Sequence, residues 1–231
     1  MKIAGLRKLT LLDFPDKIAC TLFTFGCNFR CPFCHNASLV LTDRTDESVM
    51  PEEEFFTFLA RRRGMLQGVC ITGGEPTLQP DLPAFIARIK DMGYAVKLDT
   101  NGYRPEVLRR LTEAGLLDYV AMDIKNSLPL YGKTVGIESF DTRPVEESMD
   151  YLMENRVPFE FRTTLVRGLH TVDSIRTMGE RLAGPEPFFL QAFKDSGDLI
   201  CGGMEGISPS ETRAMLDVLR RHIPNAQIRG E

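Results

Sequence analysis

Three cysteines, Cys27, Cys31 and Cys34, fall within eight residues of the run TFGCNFRCPFCHN, spaced C-x3-C-x2-C. Thiolates are soft ligands suited to zinc, copper(I) and iron–sulfur clusters. A structural zinc site closes with four protein ligands, often as two C-x2-C pairs. This chain has no second pair, and His35, adjoining Cys34, is badly placed to complete the same tetrahedron. Three-ligand catalytic zinc fits less well, because no water-activating carboxylate sits beside the loop. A [4Fe–4S] cube usually takes four cysteines, so three would leave one iron open to a ligand from outside the protein. Gly26, just before the first cysteine, permits close backbone approach.

Other polar clusters lie between apolar runs. GGEPT occupies Gly73–Thr77, DTNG begins at Asp99 and DIKNS begins at Asp123. Alone, a Gly-Gly-Glu run is a turn, and an Asp–Lys pair at a strand end is a solvated ion pair of little energetic value. Residues two apart on a strand share a face, however, so Asp123 and Lys125 can together serve a ligand with hydroxyls and a carboxylate. The remaining cysteines have plainer readings. Cys20 and Cys70 sit in the apolar runs KIACTLFTF and GVCITGG and read as buried small hydrophobes. Cys201, in LICGGMEG, reads as a loop thiol.

An alternation of short apolar runs and amphipathic stretches must position these residues. Strands are expected at Ile18–Phe25, Val69–Thr72, Ala95–Asp99, Tyr119–Ile124, Phe159–Val166 and Phe188–Phe193. Helices are expected at Pro51–Arg63, Asp81–Met92, Pro105–Ala114, Arg143–Asn155, Thr171–Leu182 and Pro209–His222. Pro51, Pro105 and Pro209 stand where first helical turns begin, and Gly93 and Gly115 fall just past helix ends. Residues 1–17 read as an extended lead-in, and Ala226–Arg229, within the tail 223–231, as an edge strand. The alternation implies parallel βα units with right-handed crossovers. Six units over residues 18–222 make an incomplete α/β barrel, read here as a single domain, 1–231. In such folds chemistry gathers at the C-terminal ends of the strands. The cysteine loop, GGEPT, DTNG and DIKNS follow the first four expected strands, so all four meet at one rim.

Composition narrows the field. The 231 residues are 43% hydrophobic and 26% charged, as in ordinary globular proteins. With 28 basic and 32 acidic residues the formal charge is −4, which gives no reason to expect nucleic acid or a membrane surface as partner. There is no leader pattern and no apolar run of about 18 residues. The expectation is a cytoplasmic protein, where clustered thiols bind metal or do chemistry rather than form disulfides.

The cysteine spacing, with the aromatic Phe33 before the last cysteine, resembles the radical S-adenosylmethionine (SAM) superfamily, and GGEPT resembles that family's Gly-Gly-Glu motif. CHN from Cys34, with DTNG and DIK, is similar to enzymes that activate glycyl-radical enzymes. The opening GLRKLTLLDFPDKIACTLFTFGCNFRCPFCHN is most similar to the activating proteins of anaerobic ribonucleoside-triphosphate reductase. The resemblance implies a radical SAM type of incomplete (β/α)6 barrel. It implies one [4Fe–4S] cluster on Cys27, Cys31 and Cys34, whose open iron chelates the amine and carboxylate of SAM. It also implies cofactor contacts for Phe33, His35, Gly73, Gly74, Glu75, Asp99, Asp123 and Lys125. Gly73 and Gly74 would expose backbone groups to the methionine moiety, and Glu75 would take its ammonium. Asp123 and Lys125 would lie nearest the ribose and carboxylate. The implied reaction is one-electron reductive cleavage of SAM to methionine and a 5′-deoxyadenosyl radical, which takes a hydrogen atom from a glycine of a partner protein. A flavodoxin or ferredoxin would supply the electron.

The chain also departs from these relatives. Related activases often carry a histidine near the end of the sixth strand, where this sequence reads LQAFKDSG, with Phe193 or Lys194 at that place. Gln191 and Phe193 share a face of the expected strand and are candidates to contact the adenosine, Phe193 otherwise being core. His170 reads as a loop residue and His222 as a helix-end residue. Six cysteines, with no C-x2-C beyond the loop, leave no room for a ferredoxin-like insert. Two other readings stand beside the activase. A radical SAM enzyme acting on a small molecule or peptide would share the motifs but need further residues to close its mouth. A non-catalytic zinc or iron–sulfur module would explain the cysteines but not the motifs at the next three strand ends.

Overall fold

The computed structural model describes residues 1–41, 49–195 and 197–230. Eight strands lie side by side in chain order: β1 (Ile3–Thr10), β2 (Ala19–Thr24), β3 (Gly68–Gly73), β4 (Ala95–Thr100), β5 (Tyr119–Asp123), β6 (Phe159–Leu165), β7 (Phe188–Ala192) and β8 (Gln227–Arg229). All neighbours from β2 to β8 pair in parallel, and β1 runs antiparallel to β2. The connections carry α1 (Ala37–Leu41), α2 (Glu52–Arg61), α3 (Leu82–Asp91), α4 (Pro105–Glu113), α5 (Tyr131–Val135), α6 (Arg143–Met153), α7 (Val172–Arg181) and α8 (Pro209–Leu219). This is the parallel, partial α/β barrel expected from the alternation.

Helix ends follow local chemistry. Capping boxes open α7 (Thr171 with Ser174) and α8 (Ser208 with Glu211). Three glutamates, Glu52, Glu53 and Glu54, occupy the first turn of α2, where the helix dipole favours negative charge. Gly93 and Gly115 adopt the left-handed backbone expected just past α3 and α4.

The lead-in needs correction. Ile3–Thr10 is not just extended but a paired strand. Only its end residues, Ile3 and Thr10, are buried, so it lacks the period-two apolar signal of a half-buried strand. The five-residue α1 and α5 were not anticipated either, being too short to display a helical period. The tail strand forms as Gln227–Arg229, parallel to β7; the last residue of the expected tail, Glu231, lies outside the described residues.

Strand alternation divides the sheet into two faces. Leu22, Ile71, Leu98, Val120, Met122 and Phe161 join the apolar cluster under the helices. The opposite face, inside the barrel, carries Lys97, Asp99, Asp123, Glu160, Arg162 and Gln191. Phe14 plugs the N-terminal end: its ring lies 6.3 Å from that of Tyr119, the first residue of β5. A Cβ on Gly68, the first residue of β3, would come 2.9 Å from the Phe14 ring. Just inside, Arg229 of β8 holds the buried Glu160 of β6 through two bonds of 2.8 and 3.0 Å.

Candidate active site

The cysteine loop leaves β2 through Gly26, whose φ of 86° lies in the region glycine tolerates best. Backbone bonds hold the loop from several sides. Gly26 N donates to Leu39 O at 2.9 Å, Arg30 N to Val135 O at 2.9 Å, and Cys201 N to Pro32 O at 2.9 Å. Phe29 anchors it among the rings of Tyr103, Tyr131 and Phe140, 5.4–6.4 Å away. Cys31 is buried, while Cys27 and Cys34 are half-buried. Burial pushes the Cys27 thiol up to about 12 and the Cys31 thiol up to about 11, the latter partly offset by Lys125. A bound metal therefore has to displace protons here.

Among the described residues, no three His, Cys, Asp or Glu side chains form a group able to hold a single ion. Yet the three cysteines line one cavity. A cube attaches its thiolates to separate irons, and three thiols lining one cavity fit that donor set.

The Gly-Gly-Glu turn packs against this loop by backbone contact. Gly74 N donates to Thr24 O at 2.9 Å and Glu75 N to Gly26 O at 2.7 Å. A Cβ on Gly74 would lie 1.9 Å from Gly26 O, and one on Gly73, at φ 121°, 2.2 Å from Thr24 N. Both glycines are thus required by close approach. The amides of Gly74 and Glu75 are already bonded, so Gly74 can offer a ligand only its carbonyl oxygen. Glu75 is 1% exposed. Its Oε1 accepts from Thr77 N, Thr77 Oγ1 and Thr100 Oγ1, and its Oε2 accepts from Asn101 N at 2.7 Å. Burial pushes its pKa up against the pull of those four donors. Glu75 therefore ties the end of β3 to the end of β4, and only Oε2 keeps acceptor capacity for a ligand.

Deeper in the cavity the charges interlock. Lys97 pairs with Asp99. Arg162 reaches Asp99 at 3.3 Å and Asp123 at 3.0 Å, and Lys125 Nζ lies 3.1 Å from Asp123. Burial raises the Asp123 pKa, but Arg162 and Lys125 outweigh it and hold the carboxyl down to about 2. Burial opposes the charge on Lys125 too, and Asp123 more than restores it. Both groups are ionised at neutral pH.

One cavity of about 280 Å³ is lined by every residue that the family resemblance implies: Cys27, Cys31 and Cys34, Phe33 and His35, Gly73, Gly74 and Glu75, and Asp99, Asp123 and Lys125. Arg162, Asn101 and Thr164 also line it and were missed. A signal existed: Glu160, Arg162 and Thr164 alternate along FEFRTTL, placing polar groups on one face of an otherwise apolar strand. Of the two sixth-strand candidates, Gln191 lines the cavity. Phe193 is 7% exposed, and its ring packs 5.1 Å from that of His35, so it backs the cysteine loop rather than facing the pocket. Cys20 and Cys70 are buried, as expected, and Cys201 is exposed.

A family model described as the radical SAM superfamily matches residues 21–182. The chain belongs to that superfamily. Its cofactors are the family's [4Fe–4S] cluster and SAM, and the site fits both. The donor set is three thiols. The other charged lining residues are Glu75, Asp99 and Asp123 against Lys125 and Arg162, three minus two, a formal −1 that suits a sulfonium-bearing zwitterion. The chain is 32% identical to a candidate glycyl-radical enzyme activating enzyme of Methanocaldococcus jannaschii, over 98% of this chain and 95% of that one. It is also 32% identical to a candidate GTP 3′,8-cyclase of Thermococcus kodakarensis, over 64% of this chain and 47% of that protein. The radical SAM fold extends to SuiB of Streptococcus suis bound to its precursor peptide SuiA, with a TM-score of 0.69 at 14% identity over 89% of this chain and 47% of SuiB. Among the described residues no helix is long and apolar enough to cross a membrane.

Proposed function

We propose that this radical SAM protein is an activase that installs a glycyl radical in a partner enzyme, anaerobic ribonucleoside-triphosphate reductase being the partner favoured by its opening sequence. The observation that carries the reading is its end-to-end likeness to the M. jannaschii activase candidate, over 98% of one chain and 95% of the other. Held by Cys27, Cys31 and Cys34, a [4Fe–4S] cluster would supply the one-electron reductive cleavage of SAM to methionine and a 5′-deoxyadenosyl radical, the species that would take hydrogen from the partner's glycine.

The chain's own residues hold and orient. Cys27, Cys31 and Cys34 hold the cluster. Lys125, fully charged beside Asp123, takes the carboxylate of SAM. The free direction of Glu75 Oε2 and the carbonyls of Gly73 and Gly74 meet its ammonium. Asp123, kept ionised, accepts from a ribose hydroxyl, while Asp99 keeps Arg162 in place behind it. Phe33 and His35 line the cysteine side, and Phe14 closes the far end against water. Fixing both reactants in a dry pocket is the protein's share of such chemistry. A flavodoxin or ferredoxin supplies the electron, in the cytoplasm.

Anaerobic incubation of reconstituted protein with SAM, reductant and the reductase should produce a glycyl-radical signal by electron paramagnetic resonance. Formation of 5′-deoxyadenosine with no radical on any glycyl-radical partner would overturn the reading. A second reading, radical chemistry on a small molecule, is favoured by the likeness to GTP cyclase candidates over 64% of the chain. It requires that GTP or another small substrate be consumed in step with SAM.

A further inference from the structure

Lys125 carries its charge at the end of a long, flexible side chain, and holding it in the pocket requires that its backbone be fixed. Two buried side chains do this from opposite sides. The Lys125 N–H donates to Tyr131 Oη at 3.3 Å, and its C=O lies 2.8 Å from His170 Nε2. A carbonyl can only accept, so Nε2 carries the proton, and Nδ1 is left to accept from Val166 N at 3.0 Å. The tautomer is thereby set by its partners, and burial keeps the ring neutral by lowering its pKa. Tyr131 and His170 are 0% and 4% exposed.

The same two rings touch the cysteine loop. Tyr131 meets Phe29 edge-on at 6.4 Å and His170 meets Phe33 edge-on at 6.5 Å. Phe29 and Phe33 flank Cys31. The loop that carries the thiols and the loop that carries Lys125 are therefore braced against each other through two aromatic pairs.

We propose that His170 and Tyr131 are positioning residues that set Lys125 at a fixed distance from the cysteine loop, so that SAM is gripped by its carboxylate while its chelating end meets the cluster. The proposal rests on the reading of Lys125 as the carboxylate holder. His170 needs no contact with SAM for this role; it acts through one backbone carbonyl.

The test is a double-mutant cycle on reconstituted protein of equal iron content, read as SAM affinity by equilibrium dialysis. His170→Leu should weaken SAM binding by about three- to tenfold, the loss of one positioning hydrogen bond. His170→Gln, whose amide N–H can reach the Lys125 carbonyl, should recover most of it. In a Lys125→Ala background, His170→Leu should change affinity by less than about twofold, because the lysine it positions is gone. Tyr131→Phe, which also removes the 3.4 Å bond from Tyr131 Oη to Asp123 O, should weaken binding by a similar factor, most of that loss vanishing in the Lys125→Ala background, and carries the cycle if His170→Leu does not fold. Equal loss in both backgrounds would mean general disturbance and overturn the proposal. If Lys125→Ala weakens binding while His170→Leu and Tyr131→Phe do not, the proposal fails and the reading of Lys125 stands. If Lys125→Ala itself leaves affinity unchanged, that reading fails, and this proposal with it.

Discussion

Replacing Glu75 by Gln changes one oxygen to an NH2 and nothing in shape. In the native turn every close partner of the carboxylate is a donor: Thr77 N, Thr77 Oγ1 and Thr100 Oγ1 on one oxygen, Asn101 N on the other. Glutamine can keep its amide oxygen toward the two threonines. Its NH2 then faces the Asn101 N–H across 2.7 Å, donor against donor. Each retained bond loses its charge assistance, about 1 kcal/mol apiece, and the buried Asn101 amide is left unpaired at about 1–3 kcal/mol. Glutamine is easier to bury than a carboxylate, which offsets part of the loss. The net expectation is a destabilisation of about 3 kcal/mol. Urea unfolding at neutral pH measures it directly, with Thr100→Val as a comparison that removes one bond to the charged oxygen and the acceptor of Gly102 N. A Glu75→Gln protein within about 0.5 kcal/mol of wild type would refute the view that Glu75 is first a joint between β3 and β4.

Other consequences follow from the same geometry. Alanine at Cys27, Cys31 or Cys34 should abolish cluster iron, whereas alanine at Cys20, Cys70 or Cys201 should leave the iron count near wild type in folded protein. Gly74→Ala should fail to fold or lose several kcal/mol, because its Cβ would sit 1.9 Å from a backbone oxygen that cannot retreat alone; thermal melting decides. Arg162→Met should alter the acid limb of stability. The Asp123 pKa, about 2 when folded and about 3.9 when unfolded, contributes roughly 2–3 kcal/mol that is fully present above about pH 4 and lost as pH falls toward 2. Much of that depression goes with Arg162, so the stability gap between wild type and variant should narrow over this range. A gap constant from pH 7 to pH 2.5 would assign Arg162 a packing role alone.

Much of the site was legible because its parts are local. A C-x3-C-x2-C loop places three thiols within a few turns of chain whatever surrounds them. Glycine and proline punctuation marks helix ends through backbone geometry that holds in any fold. Six of the seven parallel strands, β2 to β7, declared themselves as short apolar or alternating runs set between helical patterns. β1 did not, because a strand paired on one side only, with just Ile3 and Thr10 buried, carries no such pattern. His170 is a loop residue, as its sequence suggests, but nothing near it in VRGLH reveals that its partner is Lys125, 45 residues earlier.

The sequence by itself determined the ligand chemistry, soft thiolates in one loop, and the alternation that brings four motifs to the same rim. Those depend on spacings of a few residues and on the two-residue repeat of a strand. Only the tertiary structure decided which groups meet across the barrel. Arg162 joins Asp123, 39 residues away, and Asp99, 63 residues away, because sheet register sets Asp123 opposite Arg162 on the adjoining strands. Glu75, readable as a free ligand for an ammonium, became a joint with four internal donors because the ends of β3 and β4 are neighbours. Pairings between distant segments depend on register and on how far the sheet curls, which no local spacing encodes.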